Sequence, residues 1–270
     1  MKLSLCMIVK NEAANIQRCL ESVRDHVDEM IVVDTGSTDE TMDIVYGLGA
    51  KLYQYEWQDD FSAARNFSMD LASGNRILIL DADEYISKDG EMLRQAAYQE
   101  DFICGTCSVI NVLEAGFYRG DRVVQPRLFR NEPEIRYKFA IHNQIEDQVR
   151  DFNKKYIAET GRQGIVDRTT VEITHTGYNL RSEGIGEKYT PRIQILENQV
   201  KQAQESGTPE EAEYYKFQLV LMLTPLVEPE EVHPKWQGLK YELLNVQNRW
   251  FAHFIACRVA MNCQDRLTRS

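Results

Sequence analysis

The sequence predicts an α/β protein in which strands alternate with helices, followed by a smaller region made of helices alone. Apolar runs of strand length alternate with amphipathic segments through the first 90 residues, which favours a parallel sheet with right-handed crossovers. One apolar run ends abruptly in carboxylates, and from residue 182 onward the apolar spacing becomes helical. We therefore expect one domain at residues 1–180 and a helical region at residues 181–270.

The first strands and helices follow from the residue pattern. Residues 3–9 form an apolar strand, and the next segment has apolar side chains at helical spacing, with Asn11 placed near the start of the helix. The second strand, residues 30–33, ends at Asp34. Residues 37–40 have the S-x-x-E pattern of a capping box, which predicts the start of a second helix. The same patterns predict a third strand at residues 51–55 and a third helix at residues 61–72.

A continuous apolar run at residues 77–80 is typical of a strand buried on both faces. The segment Asp81-Ala82-Asp83-Glu84 follows it directly. Three carboxylates at one strand end repel one another unless a positive charge lies between them. A solvated acidic turn is one interpretation, and a Mg²⁺ or Mn²⁺ ion that bridges a diphosphate is the other, because hard cations prefer oxygen ligands.

Polar segments follow three of the predicted strands, at residues 10–12, 34–36 and 81–83. The carboxyl ends of parallel strands share one edge of a sheet, and ligands of such sheets bind beyond that edge. The sequence has neither a G-x-G-x-x-G segment after the first strand nor a P-loop. We therefore expect a nucleotide site that handles phosphate through a metal ion instead of through a glycine-rich loop.

Composition excludes several other classes of protein. The formal net charge of −11 argues against a nucleic-acid-binding surface as the main function. No stretch approaches the ~20 apolar residues of a membrane-spanning helix. The short apolar start continues into Lys10 without a cleavage site of small residues, so we expect a first strand and a cytoplasmic protein. The six cysteines lack the spacing of a zinc site and are expected to be structural thiols.

Four segments together resemble the family 2 glycosyltransferases: MIVKNE at residues 7–12, IVVDTGSTDET at 31–41, DFSAARN at 60–66 and LDADE at 80–84. The resemblance implies the GT-A fold, a Rossmann-like mixed sheet, here with a C-terminal helical extension. It is closest to the bacterial subgroup with a helical, TPR-like region after the catalytic domain. That subgroup includes enzymes that glycosylate cysteine in bacteriocin peptides.

The resemblance also implies roles for individual residues. Asp34 is expected to accept a hydrogen bond from the nucleotide base, Arg65 to bind the nucleotide or its diphosphate, Asp81 to face the ribose and Asp83 to bind Mn²⁺ or Mg²⁺. A surface ion pair with a neighbouring aspartate is the alternative for Arg65. The remaining residues expected around the nucleotide sugar are Val9, Lys10, Asn11, Glu12 and Ala82.

Two histidines lie in segments similar to those of related enzymes. His175 is expected to be a further metal ligand, and His142 to contact donor phosphate or acceptor. For either one, a hydrogen-bonded histidine at a strand end is the alternative. Asn143 stands where an acidic residue is expected, so the catalytic base is left open at this position. We favour Asp147 as that base.

Glu84, beside the expected metal, and Glu146 are rival candidates for the base. A base is required because inverting transfer removes a proton from the acceptor while the diphosphate departs. The sequence therefore predicts a metal-dependent, inverting glycosyltransferase that uses a nucleotide-diphosphate sugar, expected to be a UDP-sugar. The acceptor is a peptide, a protein or a glycan. The alternative is a non-catalytic nucleotide-binding adaptor that acts through its helical region.

The helical region is predicted from apolar spacing and helix-breaking residues. Helices are expected at residues 187–204, 209–223 and 239–267, with a loop marked by Pro225, Pro229 and Pro234 between the last two. Paired helices suggest a TPR-like arrangement, but the internal repetition is poor. This region is expected to pack on the catalytic domain, to bind the acceptor or to form a homodimer, for which Phe251, Phe254 and Ile255 are candidates.

Overall fold

The computed structural model describes residues 1–112, 118–176, 185–224, 229–240, 242 and 244. The chain divides into two compact units. Unit 1 comprises residues 1–139 and 143–180, and unit 2 comprises residues 140–142 and 181–270. The predicted α/β class, with helices after the sheet, is confirmed.

Unit 1 begins with alternating strands and helices. Its first elements are β1 (Leu3–Val9), α1 (Ile16–Val23), a 3₁₀ turn (Arg24–His26), β2 (Glu29–Asp34), α2 (Thr41–Gly47), β3 (Lys51–Gln54), α3 (Phe61–Asp70) and β4 (Arg76–Ile79). Strands β1, β2, β3 and β4 are parallel. These four strands therefore form the parallel half that the sequence predicts.

The second half of the sheet is mixed. It contains β5 (Glu84–Lys88), α4 (Met92–Ala97), β6 (Phe102–Val112), β7 (Tyr118–Arg130), α5 (Glu146–Thr160) and β8 (Ile165–His175). The strand order is β3-β2-β1-β4-β7-β6-β8-β5, with β7 antiparallel to both of its neighbours. Strand-like runs at residues 102–111, 122–129 and 170–176 predict β6, β7 and β8, whereas β5, α4 and α5 have no counterpart among the segments predicted from sequence.

Two apolar clusters cover the two faces of the sheet. One contains Leu5 and Leu78 with the buried side of α1, including Leu20. The other contains Ile77 with Val149 of α5. Ile77, Leu78 and Ile79 of β4 thus enter alternate clusters, which explains why all three are apolar.

The helix starts differ from the predicted ones. Helix α1 begins at Ile16 and α2 at Thr41, and neither has a side-chain cap. Asn11 and Asp39 instead join the loops after β1 and β2, because Asn11 Oδ1 accepts from the Thr38 N–H at 2.7 Å and Asp39 Oδ2 accepts from the Ala13 N–H at 3.1 Å. The predicted capping box is therefore wrong, and its polar residues hold two loops together.

Unit 2 contains α6 (Ile185–Glu205), α7 (Pro209–Leu223) and α8 (Pro229–Gln237). The rings of Phe217 and Trp236 pack edge to face at the centre of its core, with centroids 6.2 Å apart. The loop predicted around Pro234 is wrong from residue 229 onward, because α8 includes this proline. The helix predicted at 239–267 and its three interface candidates lie almost wholly outside the described residues. Among the described residues, no helix has both the length and the apolar character that crossing a bilayer requires.

Candidate active site

The loops of the candidate site follow strand ends at one edge of the sheet. In the parallel register, Val9 lies opposite Asp34 and Cys6 lies opposite Ile79. The carboxyl ends of β1, β2 and β4 therefore meet at this edge, as the alternating pattern predicts. Val9 contributes its carbonyl, which accepts from both the N–H and the Oγ1 of Thr35 at 2.9 and 3.0 Å.

Asp34 ends β2 and is almost fully buried. Its Oδ1 accepts from the N–H groups of Gly36 and Ser37, each at 2.9 Å. Its Oδ2 is buried and has no hydrogen-bond partner among the described residues. Gly36 has φ +109°, which an L side chain rarely adopts, so the turn that engages Oδ1 depends on this glycine. The second oxygen is left as an acceptor that requires a donor.

The segment after β1 is held against the segment after β2. The N–H of Asn11 donates to Ser37 Oγ at 2.9 Å, and the N–H of Glu12 donates to Thr41 Oγ1 at 2.8 Å. Asn11 has φ +54°, a left-handed conformation that asparagine tolerates better than most residues. Lys10 is exposed, and burial raises the pKa of Glu12, with Asp83 and Asp81 adding to the rise.

A buried charge network surrounds Asp81. Arg65 donates from Nη2 to Asp81 Oδ1 at 2.5 Å, and Arg127 Nη1 lies 3.9 Å from Asp81 Oδ2. Arg127 also donates from Nη2 to Glu84 Oε1 at 2.5 Å. Glu84 closes the ring, because its Oε2 accepts from the Asp81 N–H at 2.9 Å. The turn after β4 is thus fixed from both sides, while Ala82 is buried in the apolar cluster that contains Leu5.

The two carboxylates of this network titrate in opposite directions. Burial alone raises the pKa of Asp81, but Arg65 and then Arg127 lower it to about 2. Burial raises the pKa of Glu84 to about 7. Arg127 lowers this pKa, but the negative charge of Asp81 offsets part of that lowering. Both oxygens of Glu84 are engaged within the network, and its side chain is 3% exposed. It therefore lacks the access to an acceptor that a base needs.

Arg65 and Arg127 each have N–H groups that this network does not use. The Nε and Nη1 atoms of Arg65 and the Nε atom of Arg127 are buried without a hydrogen-bond partner among the described residues. The guanidinium of Arg65 lies 5.7 Å from the ring centre of Tyr137, a partly buried tyrosine whose pKa is raised to about 12, chiefly by desolvation. Arg65 does not form the surface ion pair considered as an alternative, since Asp60 caps α3 by accepting from the Ala63 N–H.

Asp83 lies beside His175, at the end of β8. The Nε2 atom of His175 is 3.2 Å from Asp83 Oδ2, and its Nδ1 atom is 2.8 Å from Asn111 Oδ1. An amide oxygen only accepts, so Nδ1 carries a proton and a neutral ring turns the lone pair of Nε2 toward Asp83. Burial alone lowers the pKa of His175, but the hydrogen bond that a protonated Nε2 donates to Asp83 raises the pKa above its ordinary value.

This pair fits a divalent cation shared with a ligand. A carboxylate facing an imidazole lone pair is satisfied either by a proton or by a cation, and Asn111 fixes the tautomer that binds metal through Nε2. Within the described part of the chain, no cluster of three or more His, Cys, Asp or Glu side chains is arranged to hold a metal alone. Mg²⁺ sites commonly use one or two protein ligands together with substrate phosphates.

The structure does not join the other two site candidates to this edge. Asp147 lies in the first turn of α5, half exposed, and pairs with Arg150 at 2.7 Å. His142 belongs to unit 2, where its carbonyl accepts from the Tyr214 hydroxyl at 2.6 Å. Burial lowers the pKa of His142, and Arg192 lowers it further.

The four segments that carry the family resemblance contain none of Asn111, Tyr137 and Arg127, which the structure brings to the site. These residues lie on β6, after β7 and on β7, and they reach the site only through the mixed half of the sheet. The only local signal was an arginine inside an otherwise strand-like segment. Arg127 is buried because β7 pairs with β4, and the residues next to Arg127 in the sequence give no sign of that long-range pairing.

A model of the family described as Glycosyl transferase family 2 matches residues 4–168. The chain belongs to this family. The match covers the strand-end aspartates, Arg65 and Arg127, and it stops before His175. The resemblance carried by the four sequence segments is thereby confirmed.

Two curated relatives cover different shares of the chain. A TPR repeat-containing protein from Synechococcus elongatus is 44% identical over 149 residues, which are 55% of this chain and 36% of that protein. The SPbeta prophage-derived glycosyltransferase SunS from Bacillus subtilis is 27% identical over 201 residues, 72% of this chain and 44% of that protein. The chain thus spans less than half the length of these relatives.

Solved structures with a similar fold include TarS 1–349 of S. aureus, with 17% identity, a TM-score of 0.49 and coverage of 97% of this chain and 89% of that chain. Another is glucosyl-3-phosphoglycerate synthase of Mycobacterium tuberculosis in complex with Mn²⁺ and UDP-glucose. It has 15% identity, a TM-score of 0.45 and coverage of 72% of this chain and 77% of that chain.

Proposed function

We propose that this family 2 domain transfers a sugar, with inversion, from a nucleotide-diphosphate sugar to a peptide, protein or glycan acceptor. The donor is a UDP-sugar, and Mn²⁺ or Mg²⁺ is the cofactor. One observation carries the proposal. At a single sheet edge, a buried carboxylate oxygen of Asp34 has no hydrogen-bond donor among the described residues, and Asp83 and His175 lie together as candidate ligands for a cation.

Asp34 is suited to select uracil. Its Oδ1 is occupied by the turn, and its Oδ2 is a buried acceptor. The uracil ring offers one imide N–H, which a carboxylate oxygen accepts with the strength of a charge-assisted hydrogen bond. Cytosine presents an acceptor at the same ring position, so its binding would place two acceptors face to face.

Asp83 and His175 are the residues that would hold the metal, and Asn111 would keep Nε2 of His175 turned toward it. When bound, the ion supplies positive charge to the departing diphosphate. Arg65 and Arg127 hold Asp81 in place, and their buried N–H groups that have no partner in the described part of the chain can donate to diphosphate or ribose oxygens.

The transfer step needs a base for the acceptor proton. The acceptor oxygen or sulfur forms its bond to the anomeric carbon as the bond from that carbon to the diphosphate breaks, and the proton passes to the base. Asp147 remains the proposed base, since its half-exposed carboxylate is accessible to an acceptor. His142 remains proposed to contact donor phosphate or acceptor.

Release of UDP from a panel of UDP-sugars tests the proposal. The wild type, Asp83→Asn and Asp151→Asn are compared with Mn²⁺ and with chelator. Asp151 is a matched control because it is an exposed aspartate in a surface ion pair on α5. We expect slow hydrolysis of one donor that depends on metal, survives in Asp151→Asn and is lost in Asp83→Asn.

Other outcomes separate the alternatives. Metal-dependent UDP binding without turnover, in the presence of peptide and glycan acceptors, supports the adaptor instead of the enzyme. Failure to bind UDP at all contradicts the donor assignment. Asp147→Asn is expected to lose transfer while it retains hydrolysis of the donor, and equal transfer by Asp147→Asn and Asp151→Asn would remove Asp147 as the base.

A further inference from the structure

Strand β7 has an open edge over most of its length. On one side it pairs with β6 from Tyr118 to Phe129, but on the other side it pairs with β4 only at residues 128–130. Among the described residues, nothing pairs with residues 118–127 on the β4 side. Apart from Pro126, which has no N–H, these residues therefore present main-chain N–H and C=O groups on that side that no described residue pairs with.

The open edge is regular over residues 122–126, where Arg122 is the one charged residue. Residues 122–126 pair with β6 without interruption, and the register shifts lie on either side of this stretch. Val123 and Val124 are 42% and 44% exposed. Arg122 forms an ion pair with Glu172 on β8, in which Arg122 Nη2 donates to Glu172 Oε1 at 2.7 Å. Residues 118–127 contain no lysine, a common device by which proteins keep such an edge from pairing. They do contain Pro126, a residue that sheets tolerate on edge strands and that cannot itself donate to an added strand.

The edge also leads into the candidate site. Strand β4 runs toward Asp81, and β7 runs antiparallel to it with Leu78 opposite Leu128. The unpaired part of β7 consequently begins where β4 ends, at Arg127, which contacts Asp81 and Glu84. With a rise of about 3.4 Å per residue, the exposed stretch offers roughly 14 Å of edge that starts at the site.

From these observations we propose that the edge of β7 docks the acceptor as an extended polypeptide, which adds a strand beside residues 122–126. The inference rests on the proposed function and names its acceptor class. Main-chain hydrogen bonds provide the affinity in this mode of binding, and alternate side chains provide the specificity. The exposed β-branched side chains of Val123 and Val124 suit an extended segment beside them, and the next residue along that segment reaches the Asp81 turn. A serine, threonine or cysteine there is the group that receives the sugar.

The test uses the full chain with UDP, Mn²⁺ and a pool of unstructured 15-residue peptides that contain serine, threonine and cysteine. Amide hydrogen exchange is followed in β7, and sugar transfer to the peptides is measured with the donor found by UDP release. The variants are Val123→Lys/Val124→Lys and, as a matched control, Val166→Lys. Val166 is 48% exposed in the same sheet, near the start of β8, where the strand pairs with β6 and lies at the end opposite to His175.

We expect the peptides to protect the amides of residues 118–127 from exchange. In the double variant, kcat/KM for transfer should fall roughly tenfold, which corresponds to about 1.4 kcal/mol. Donor hydrolysis without acceptor should be unchanged in both variants, and transfer should be unchanged in Val166→Lys. This combination separates docking of the acceptor from the donor chemistry.

Three results would overturn the inference. Transfer to glycans but not to peptides removes the acceptor class and leaves the proposed function intact. Equal transfer by both variants, or no protection of β7, removes the docking edge. Protection that rises with protein concentration in the absence of peptide, together with a dimer lost in the double variant, assigns the edge to a second copy of the chain. If the wild type neither hydrolyses nor transfers, the proposed function has failed, and hydrogen exchange alone decides whether the edge binds a polypeptide.

Discussion

His175 and Asp83 face each other from different strand ends, with Nε2 3.2 Å from Oδ2. The ladder pairs His175 with Glu84 on β5 and with Asn111 on β6. The imidazole is therefore placed by main-chain pairing on both sides and oriented by the Asn111 amide. A ligand held in this way needs little rearrangement to receive a cation.

Replacing Asn111 by alanine should weaken binding of Mn²⁺ without changing the ligands themselves. Loss of the amide oxygen frees the imidazole to rotate and to adopt the other tautomer, and such outer-shell changes typically cost about 10–100-fold in metal affinity. Titration of Mn²⁺ in the presence of UDP measures the effect. Ser108→Ala is the control, since Ser108 is a buried polar residue on the same strand that bonds Arg168 instead. Equal losses in both variants would reduce Asn111 to a structural role.

Replacing Asp34 by asparagine should change base selectivity more than stability. The amide oxygen can still accept from Gly36 and Ser37, but an NH₂ group then faces the imide N–H of uracil. We expect affinity for UDP to fall about tenfold or more, because a hydrogen bond to a charged group is worth roughly 1.5–3 kcal/mol. Affinity for CDP should rise relative to UDP, since cytosine offers an acceptor. Isothermal titration with both nucleotides measures the ratio, and an unchanged ratio would place the base elsewhere.

The sequence predicted the parallel half of this fold well and the mixed half poorly. Strands β1 to β4 and their polar ends are local patterns, so Asp34 and Asp83 could be found from spacing and resemblance alone. The ring of contacts among Arg127, Glu84 and Asp81 depends on β7 pairing with β4, about 50 residues away along the chain. Helix α5 was missed because only Val149 and Phe152 are buried in it, which gives a weak helical pattern.

Arg127 and Glu84 should show strong energetic coupling. Arg127→Met leaves a buried carboxylate without its partner, and breaking a buried pair in this way costs about 3–5 kcal/mol of unfolding free energy. Adding Glu84→Gln removes the orphaned charge and should recover a large part of that loss. Urea unfolding of both single variants and the double variant completes the cycle. If the two single losses simply add in the double variant, the residues are not coupled and the network does not fix the turn.

Glu29 lies at the opposite, amino-terminal edge of the sheet, and it should make stability depend on acid pH. Its side chain is 4% exposed. Lys51 Nζ donates to Oε2 at 2.7 Å, and Ser4 Oγ and the Ser73 N–H donate to Oε1 at 2.6 and 2.7 Å. Burial alone raises the pKa of Glu29, but Lys51, Ser4 and Ser73 lower it well below the ordinary value.

A carboxyl whose pKa is depressed on folding stabilises the protein at pH values above its unfolded pKa, here about 4.3. That stabilisation declines as pH falls below about 5, because the unfolded chain takes up the proton first. Glu29→Gln should therefore lower the unfolding free energy at neutral pH by about 2–3 kcal/mol, since neutral amide contacts replace charge-assisted ones. The same variant should lose less stability than the wild type between about pH 5 and 3.

Thermal and urea unfolding across that range compare Glu29→Gln with Glu134→Gln. Glu134 pairs with Lys155 on the surface and is 45% exposed, so its replacement should change stability far less than that of Glu29. The contrast isolates burial, because both variants remove one glutamate charge from an ion pair. If the two variants follow the same pH curve, the acid sensitivity of the chain arises from its other carboxylates, and the network around Glu29 adds no more than a surface pair does.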